Sequence, residues 1–177
     1  MTKQFKNKHY FVPQKRPDSG CIPWGYEIIL RAANVPGINF QTFQDDFDFD
    51  KYHQHGESGM NNFDTVSKAI MKRYPHVVLG TKIFSRGQGE DKLQFVEKYI
   101  GEIPRILVSI CPEPDLNPKA FHIMPVLSST NDSLVLLYSV KKANDAWQLD
   151  MLHMSKAEFV HKHDVGTDGC DVAFLDM

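Results

Sequence analysis

The sequence lacks the features that mark membrane-spanning and nucleic-acid-binding proteins. Its longest apolar runs, such as SLVLLYSV, are far shorter than the about 20 residues that a membrane-spanning helix needs. Neither sign of charge dominates, because 20 Lys and Arg stand against 22 Asp and Glu, for a formal net charge of -2. Nucleic acids and anionic membrane surfaces attract basic patches, so we expect neither as a partner.

Cysteine is scarce: Cys21, Cys111 and Cys170 lie far apart, and no CxxC pair occurs. An odd number of cysteines without paired spacing supports neither a disulfide framework nor a thiolate zinc site. The N-terminal stretch MTKQFKNKHYFV contains no apolar segment of the kind found in signal peptides. We therefore expect a cytoplasmic protein with reduced thiols, no cofactor and no bound metal, and the sequence does not indicate an oligomeric state.

The composition is that of an ordinary globular protein, with 42% hydrophobic and 24% charged residues among 177. This length suits one domain with a sizeable core, and we expect a single domain over residues 1–177. Apolar residues at i, i+4, i+7, i+8 and i+11 predict a helix over residues 22–34. The stripe consists of Ile22, Tyr26, Ile29, Leu30 and Ala33.

The other predicted elements place helices mainly in the first half of the chain and strands in the second. Further helices are expected over 62–73 and 90–102, and strands over 9–12, 76–84, 105–110, 120–128, 133–140 and 146–152. The sequence SKAE (155–158) is a capping box that opens a last short helix, and CDVAFLD is expected to be a closing edge strand. This order indicates an α+β fold, with an N-terminal helical half packed on an antiparallel β-sheet.

Residues 38–61 are rich in aromatic and acidic side chains and show neither helical nor strand periodicity. Long irregular segments of this kind often act as lids or binding loops. Two interpretations stay open for this segment: a lid that covers a cleft and selects substrate, and a solvated surface insertion.

Cys21 lies where a loop of Pro, Asp, Ser and Gly gives way to the predicted helix. A thiol at a helix N-terminus experiences the positive end of the helix dipole, which favours the thiolate and lowers the pKa. The N–H groups of the first helical turn could also stabilise a developing oxyanion. The alternative is that Cys21 is a small apolar residue that packs beneath the helix.

Two more residues are candidates for chemistry with a thiol. Gln14 lies seven positions before Cys21, and its side-chain amide could donate to an oxyanion beside the sulfur. Among eight histidines, His122 differs because it begins an apolar strand after a long loop, a suitable position for a general base. The alternatives are an exposed polar loop residue for Gln14 and a partly buried strand histidine for His122.

The order of these motifs resembles the papain-like cysteine peptidases. VPQ (12–14) precedes CIP (21–23), IPRILVSI (103–110) precedes HIMPVLS (122–128), and MSKAEFVHK follows. Among these peptidases, the chain is most similar to the double-glycine-leader (bacteriocin-processing) peptidases and their stand-alone bacterial relatives. The resemblance implies a papain-like fold, a peptide or protein substrate, and roles for Cys21 as nucleophile, His122 as general base and Gln14 as oxyanion-hole donor.

The sequence departs from this family in three respects, the first being a spacing from Gln14 to Cys21 that is one residue longer than the family leads us to expect. Ile22 follows the cysteine where the family usually has Gly, and no Asp or Asn occupies the strand position that would orient the histidine. Ser139 is the nearest polar candidate for that position, although a hydroxyl orients an imidazole less strongly than a carboxylate does.

Three other functions stay open. The missing acid is compatible with a non-catalytic binding or regulatory domain on a papain-like fold. An amine acceptor in place of water would make the protein an acyltransferase of the transglutaminase type. A metal site formed by His53, His55 and Glu57 ranks last, because His-x-His spacing is common by chance.

Overall fold

A computed structural model of the chain describes residues 8–16, 20–48, 62–117, 121–141, 143–144, 146–166 and 171–177. The helices are α1 (Cys21–Ala32), α2 (Phe43–Asp46), α3 (Asn62–Arg73), α4 (Gly89–Lys98) and α5 (Lys156–Val165). The strands are β1 (Leu79–Ile83), β2 (Ile106–Ile110), β3 (His122–Ser129), β4 (Ser133–Lys141), β5 (Trp147–Ser155) and β6 (Asp171–Leu175).

The six strands form one antiparallel sheet in the order β1-β6-β2-β3-β4-β5. Helices and antiparallel strands pack together as the sequence predicts, so the α+β class is confirmed. The predicted closing edge strand is wrong in one respect, because β6 lies between β1 and β2. The side chains of Val172, Ala173 and Leu175 are all buried, and such a continuous apolar strand suits the interior of a sheet.

Helix α1 is buried on nearly all sides, and not only along the amphipathic stripe that the sequence predicts. The predicted stripe residues Ile22, Tyr26, Ile29 and Leu30 are buried as expected, but nearly every other α1 side chain is buried as well. Gly25 permits this approach, because a Cβ at Gly25 would lie 3.2 Å from atoms of Ile123 and Leu107. The helix therefore rests directly on β2 and β3.

Two apolar clusters continue from α1 into the sheet, and a third covers the sheet with α4 and α5. The third cluster includes Leu93 and Val96 from α4, Phe159 from α5, and Val108 and Met124 from the sheet. The predicted N-cap of α5 is confirmed, since the Ser155 side chain accepts a hydrogen bond of 3.0 Å from the Glu158 N–H. This bond fixes the first turn of α5 directly after β5.

Two predicted segments differ from the structure. Residues 9–12 form no strand; the segment runs along α1, where the Trp24 indole donates to the Val12 carbonyl at 2.7 Å. Residues 38–48 are not wholly a solvated insertion, because the Phe43 ring of α2 and the Phe47 ring directly after it are buried. Residues 49–61 lie outside the described residues. None of the described helices is long and apolar enough to cross a membrane.

Candidate functional site

Cys21 is the first residue of α1 and is only 6% exposed. The preceding N-cap residue is Gly20, which has no side chain to cap the helix, and the first turn contains no acidic residue. No acidic side chain of that turn neutralises the positive end of the helix dipole. This end therefore favours a negative charge on the sulfur or on a bound substrate oxygen.

Gln14 lies against the start of α1, as the oxyanion-hole hypothesis requires. Its side chain is 2% exposed, and its Nε2 lies 3.3 Å from the position that a Cβ on Gly20 would occupy. One N–H of the amide donates to the Arg16 carbonyl, and Oε1 is buried without a partner among the described residues. An amide carries two N–H donors, so one N–H of Gln14 has no partner among the described residues.

His122 begins β3, opposite Ile110 at the end of β2. The next residue, Ile123, contacts α1 at Gly25, which lies one helical turn after Cys21. The Ile123 side chain therefore faces α1, whereas the His122 ring lies against Tyr138, whose side chain packs with the third apolar cluster.

The His122 ring has one nitrogen engaged and one available. The backbone carbonyl of Ser139 accepts from the imidazole, and Nε2 is buried with no hydrogen-bond partner in the described chain, so the engaged nitrogen is Nδ1. Burial lowers the pKa of His122 below its ordinary value, and the Ser139 carbonyl partly offsets this effect. The ring is thus neutral at pH 7, with its lone pair on Nε2.

The structure brings Ser139 to His122 through the main chain rather than through the hydroxyl. The Ser139 side chain is 3% exposed, and its Oγ has no hydrogen-bond partner within the described ranges. The predicted orienting group is therefore present as a carbonyl oxygen, which any residue at position 139 would supply. The Tyr138 ring meets the His122 ring edge-on with centroids 5.5 Å apart, which further restricts the imidazole.

Unsatisfied buried polar atoms are concentrated on the residues that the sequence singled out. In the described part of the chain, four buried side-chain polar atoms have no hydrogen-bond partner: Gln14 Oε1, His122 Nε2, Ser139 Oγ and His163 Nδ1. Such atoms are rare in folded proteins, and each calls for an explanation such as catalysis or an absent ligand. Three of the four belong to the candidate site. Because Nε2 has no partner, it makes no hydrogen bond to Cys21 in this structure.

A second buried polar cluster was not predicted from the sequence. Lys92 is 1% exposed, and its ammonium donates to the Ser109 carbonyl at 2.6 Å. Burial raises the pKa of the nearby Asp171 to about 7, although Lys92 opposes that rise. A lysine in helix α4 gives no local signal of burial, because the same residue pattern is typical of an exposed helical face.

The other cysteines do not share the surroundings of Cys21. Cys111 is fully buried after β2, its thiol donates to the Asn117 carbonyl at 3.3 Å, and burial raises its pKa. Cys170 lies outside the described residues, as do His53, His55 and Glu57 of the alternative metal site. The described ranges contain no group of three or more residues that could hold a metal ion.

Comparison with protein-family models, curated proteins and solved structures finds no match for this chain. The described residues include a thiol at a helix N-terminus, a buried amide beside that helix start, and a neutral imidazole with a vacant acceptor nitrogen at the start of β3. A nucleophile, a base and an oxyanion donor are the groups that acyl transfer requires.

Proposed function

We propose that this chain is a cysteine peptidase-like hydrolase on a papain-like fold, acting on a peptide or isopeptide bond. The observation that supports this proposal best is the buried, unpartnered Nε2 of His122, whose ring is held from its other nitrogen at the start of β3, the strand whose next residue contacts α1. A fixed tautomer with the lone pair on Nε2 is the form that a general base needs.

In the first step, His122 accepts the thiol proton of Cys21 at Nε2, and the thiolate attacks the substrate carbonyl carbon. The missing hydrogen bond between the two residues does not oppose this role, because catalytic hydrogen bonds are often long without substrate and shorten when it binds. The Ser139 carbonyl accepts from Nδ1 throughout and supports the positive charge that develops on the imidazolium.

As the carbon–sulfur bond forms, the carbonyl π electrons move to oxygen, and the resulting oxyanion needs hydrogen-bond donors. The second N–H of Gln14 and the backbone N–H of Cys21 supply them, next to the positive end of α1. Each donor of this kind typically contributes about 10²- to 10³-fold in rate. This contribution depends on the distance from the donor to the oxyanion, so the rate depends on the position of Gln14 as well as on its residue type.

The tetrahedral intermediate then collapses, the carbon–nitrogen bond breaks, and the leaving amine takes the proton from imidazolium Nε2. His122 then removes a proton from a water molecule, whose oxygen attacks the carbonyl carbon of the thioester. The carbon–sulfur bond breaks, the acid product leaves, and the proton passes from His122 to the Cys21 sulfur. If an amine replaces water in this step, the product is a new amide, and the protein is an acyltransferase.

Selective alkylation tests the nucleophile. We expect iodoacetamide at pH 6 to modify Cys21 at least about tenfold faster than Cys111, because a helix N-terminus and a base favour the thiolate whereas burial raises the Cys111 pKa. Peptide mapping by mass spectrometry gives the rate at each cysteine. Equal rates at the cysteines would instead support a non-catalytic binding domain.

Cleavage of a peptide library tests the reaction itself. We expect new peptide termini with the wild-type protein and with Cys111→Ser, and none with Cys21→Ala. Added glycinamide separates hydrolysis from acyl transfer, because an acyltransferase joins it to the acyl fragment. An active Cys21→Ala variant would overturn the assignment of the nucleophile.

A further inference from the structure

One buried glutamine in α2 holds the chain on both sides of Gln14. The Gln44 Oε1 accepts from the Lys15 N–H at 2.8 Å, and its Nε2 donates to the Pro13 carbonyl at 3.0 Å. A single side chain thus makes the pair of backbone hydrogen bonds that a neighbouring strand would make. These bonds flank position 14 and leave the Gln14 side chain to face Gly20.

The same amide connects this segment to the helix that carries the thiol. The second N–H of Gln44 donates to Glu27 Oε2 at 2.8 Å, and Glu27 lies in α1, six residues after Cys21. Gln44 and Glu27 are 1% and 2% exposed, so the link is shielded from water. Arg31 pairs with the other Glu27 oxygen at 2.7 Å, which fixes the position of the carboxylate.

The exposed side chains next to Gln14 also make contacts, but these are less able than Gln44 to fix the position of Gln14. Arg16 pairs with Asp45 at 2.8 Å and with Asp48 at 3.0 Å, and the Lys15 ammonium donates to the Gln41 carbonyl. The Arg16 and Asp45 side chains are 45% and 44% exposed, and ion pairs of this kind contribute little to stability. The buried Gln44 amide is the contact that can set a precise distance.

We propose that Gln44 is a positioning residue that holds Gln14 at the start of α1, so that its amide reaches an oxyanion on a substrate bound to Cys21. This inference rests on the proposed function and extends it by a residue that touches neither the substrate nor the thiol. Gln44 acts through its contacts with Pro13, Lys15 and Glu27.

A small aldehyde separates oxyanion binding from thiol reactivity. N-acetylglycinal labelled with ¹³C at the aldehyde carbon forms a hemithioacetal: the Cys21 sulfur adds to that carbon, the C=O π pair moves to oxygen, and the thiol proton completes the adduct. The oxygen of the adduct uses the oxyanion donors, whereas alkylation by iodoacetamide forms no oxyanion. NMR titration gives the dissociation constant of the adduct.

We expect Gln44→Met to weaken aldehyde binding by about tenfold or more, and to leave the alkylation rate of Cys21 within about twofold of wild type. Methionine has nearly the volume of glutamine but makes none of its three hydrogen bonds, so Gln14 is released while the core stays filled. Gln14→Ala should weaken the adduct to a similar degree.

Gln44→Glu adds a readout that loss of stability would not give. A carboxylate can still accept from Lys15 but faces the Glu27 carboxylate and the Pro13 carbonyl, whereas its protonated form can donate again. We expect aldehyde binding by Gln44→Glu, relative to wild type at the same pH, to recover as the pH falls. Gln44→Met should show no such recovery.

Ser67→Ala is the matched control for stability. It removes a buried side-chain hydrogen bond to the Tyr26 hydroxyl, between α3 and α1, and touches none of the contacts of Gln44. We expect it to lower the melting temperature and leave aldehyde binding unchanged. Wild-type aldehyde binding by the Gln44→Met variant would overturn the positioning role, while unselective alkylation of wild-type Cys21 would overturn the proposed function itself.

Discussion

Two buried histidines of this protein have nearly the same hydrogen bonding and different surroundings. His122 and His163 each contact one backbone carbonyl, from Ser139 and Ser85 respectively, and each has one buried ring nitrogen without a partner in the described chain. Burial lowers the pKa of both below its ordinary value. Both are therefore neutral at pH 7.

The difference lies in the groups next to each ring. His163, in α5, is close to the Lys92 ammonium, which lowers its pKa further, while Asp164 acts in the opposite direction. His122 has no charged group among the causes of its shift, and its ring lies against Tyr138 at the start of β3. An unsatisfied nitrogen alone therefore does not define a site, and His122 differs in beginning β3, the strand whose next residue contacts the helix that carries Cys21.

Substitution of the two histidines is the strongest test of this comparison. We expect His122→Ala to slow the cleavage of library peptides by about 10²- to 10⁴-fold, because a positioned general base contributes that much. His163→Ala should leave the cleavage rate within about twofold. In the wild type, we expect the alkylation rate of Cys21 to decrease as the pH is lowered. The midpoint of that decrease should lie below the ordinary imidazole pKa of 6.5, because the pKa of His122 is lowered.

The melting temperature of each variant provides the control for folding. His163→Ala should lower it, because the Ser85 carbonyl loses its hydrogen bond of 2.8 Å from Nε2. If His163→Ala slowed cleavage as much as His122→Ala did, the distinction between the two rings would be lost, and with it the assignment of the base.

Local sequence patterns predicted most elements of the fold but not their arrangement. Helix α1 and the Ser155 cap follow from side-chain spacing within a few residues. The position of β6 inside the sheet depends on its pairing with β1 and β2, which are distant in sequence. The residues of β6 and their neighbours in the chain therefore do not predict this position. The papain-like fold itself stays a prediction.

The candidate site divides in the same way. Side-chain chemistry and chain order identified Cys21, Gln14 and His122 as candidates. The orienting group of His122 is a backbone carbonyl, which has no residue type and therefore leaves no trace in a sequence. Gln44 was missed because one polar residue in an aromatic and acidic stretch does not differ from its exposed neighbours until α2 is seen to bury it.

The charges beside His163 lead to a prediction about stability and pH. Burial raises the pKa of Asp171 from an ordinary 3.8 to about 7, so between these values the folded protein binds a proton that the unfolded chain releases. This group therefore makes the free energy of unfolding fall as the pH rises, by about 1.4 kcal/mol per pH unit within that interval. Urea denaturation from pH 4 to pH 8 measures the slope.

The variant Asp171→Asn should remove this contribution. Since the lowered pKa values of His122 and His163 act in the opposite direction, the informative quantity is the difference in slope between the variant and the wild type. An identical slope would mean that Asp171 has an ordinary pKa in the folded protein. The interior beside Lys92 and His163 would then not be the low-dielectric environment that we infer.

The smallest expected effect concerns Ser139. Since the backbone carbonyl holds the His122 ring, Ser139→Ala should leave library cleavage and aldehyde binding within about twofold of wild type. Removal of a buried hydroxyl that has no partner should also raise the free energy of unfolding, by about 1 kcal/mol in chemical denaturation. A large loss of cleavage in Ser139→Ala would instead show that the hydroxyl orients the imidazole. His122 would then depend on a side chain, and the parallel with His163, where a carbonyl alone holds the ring, would fail.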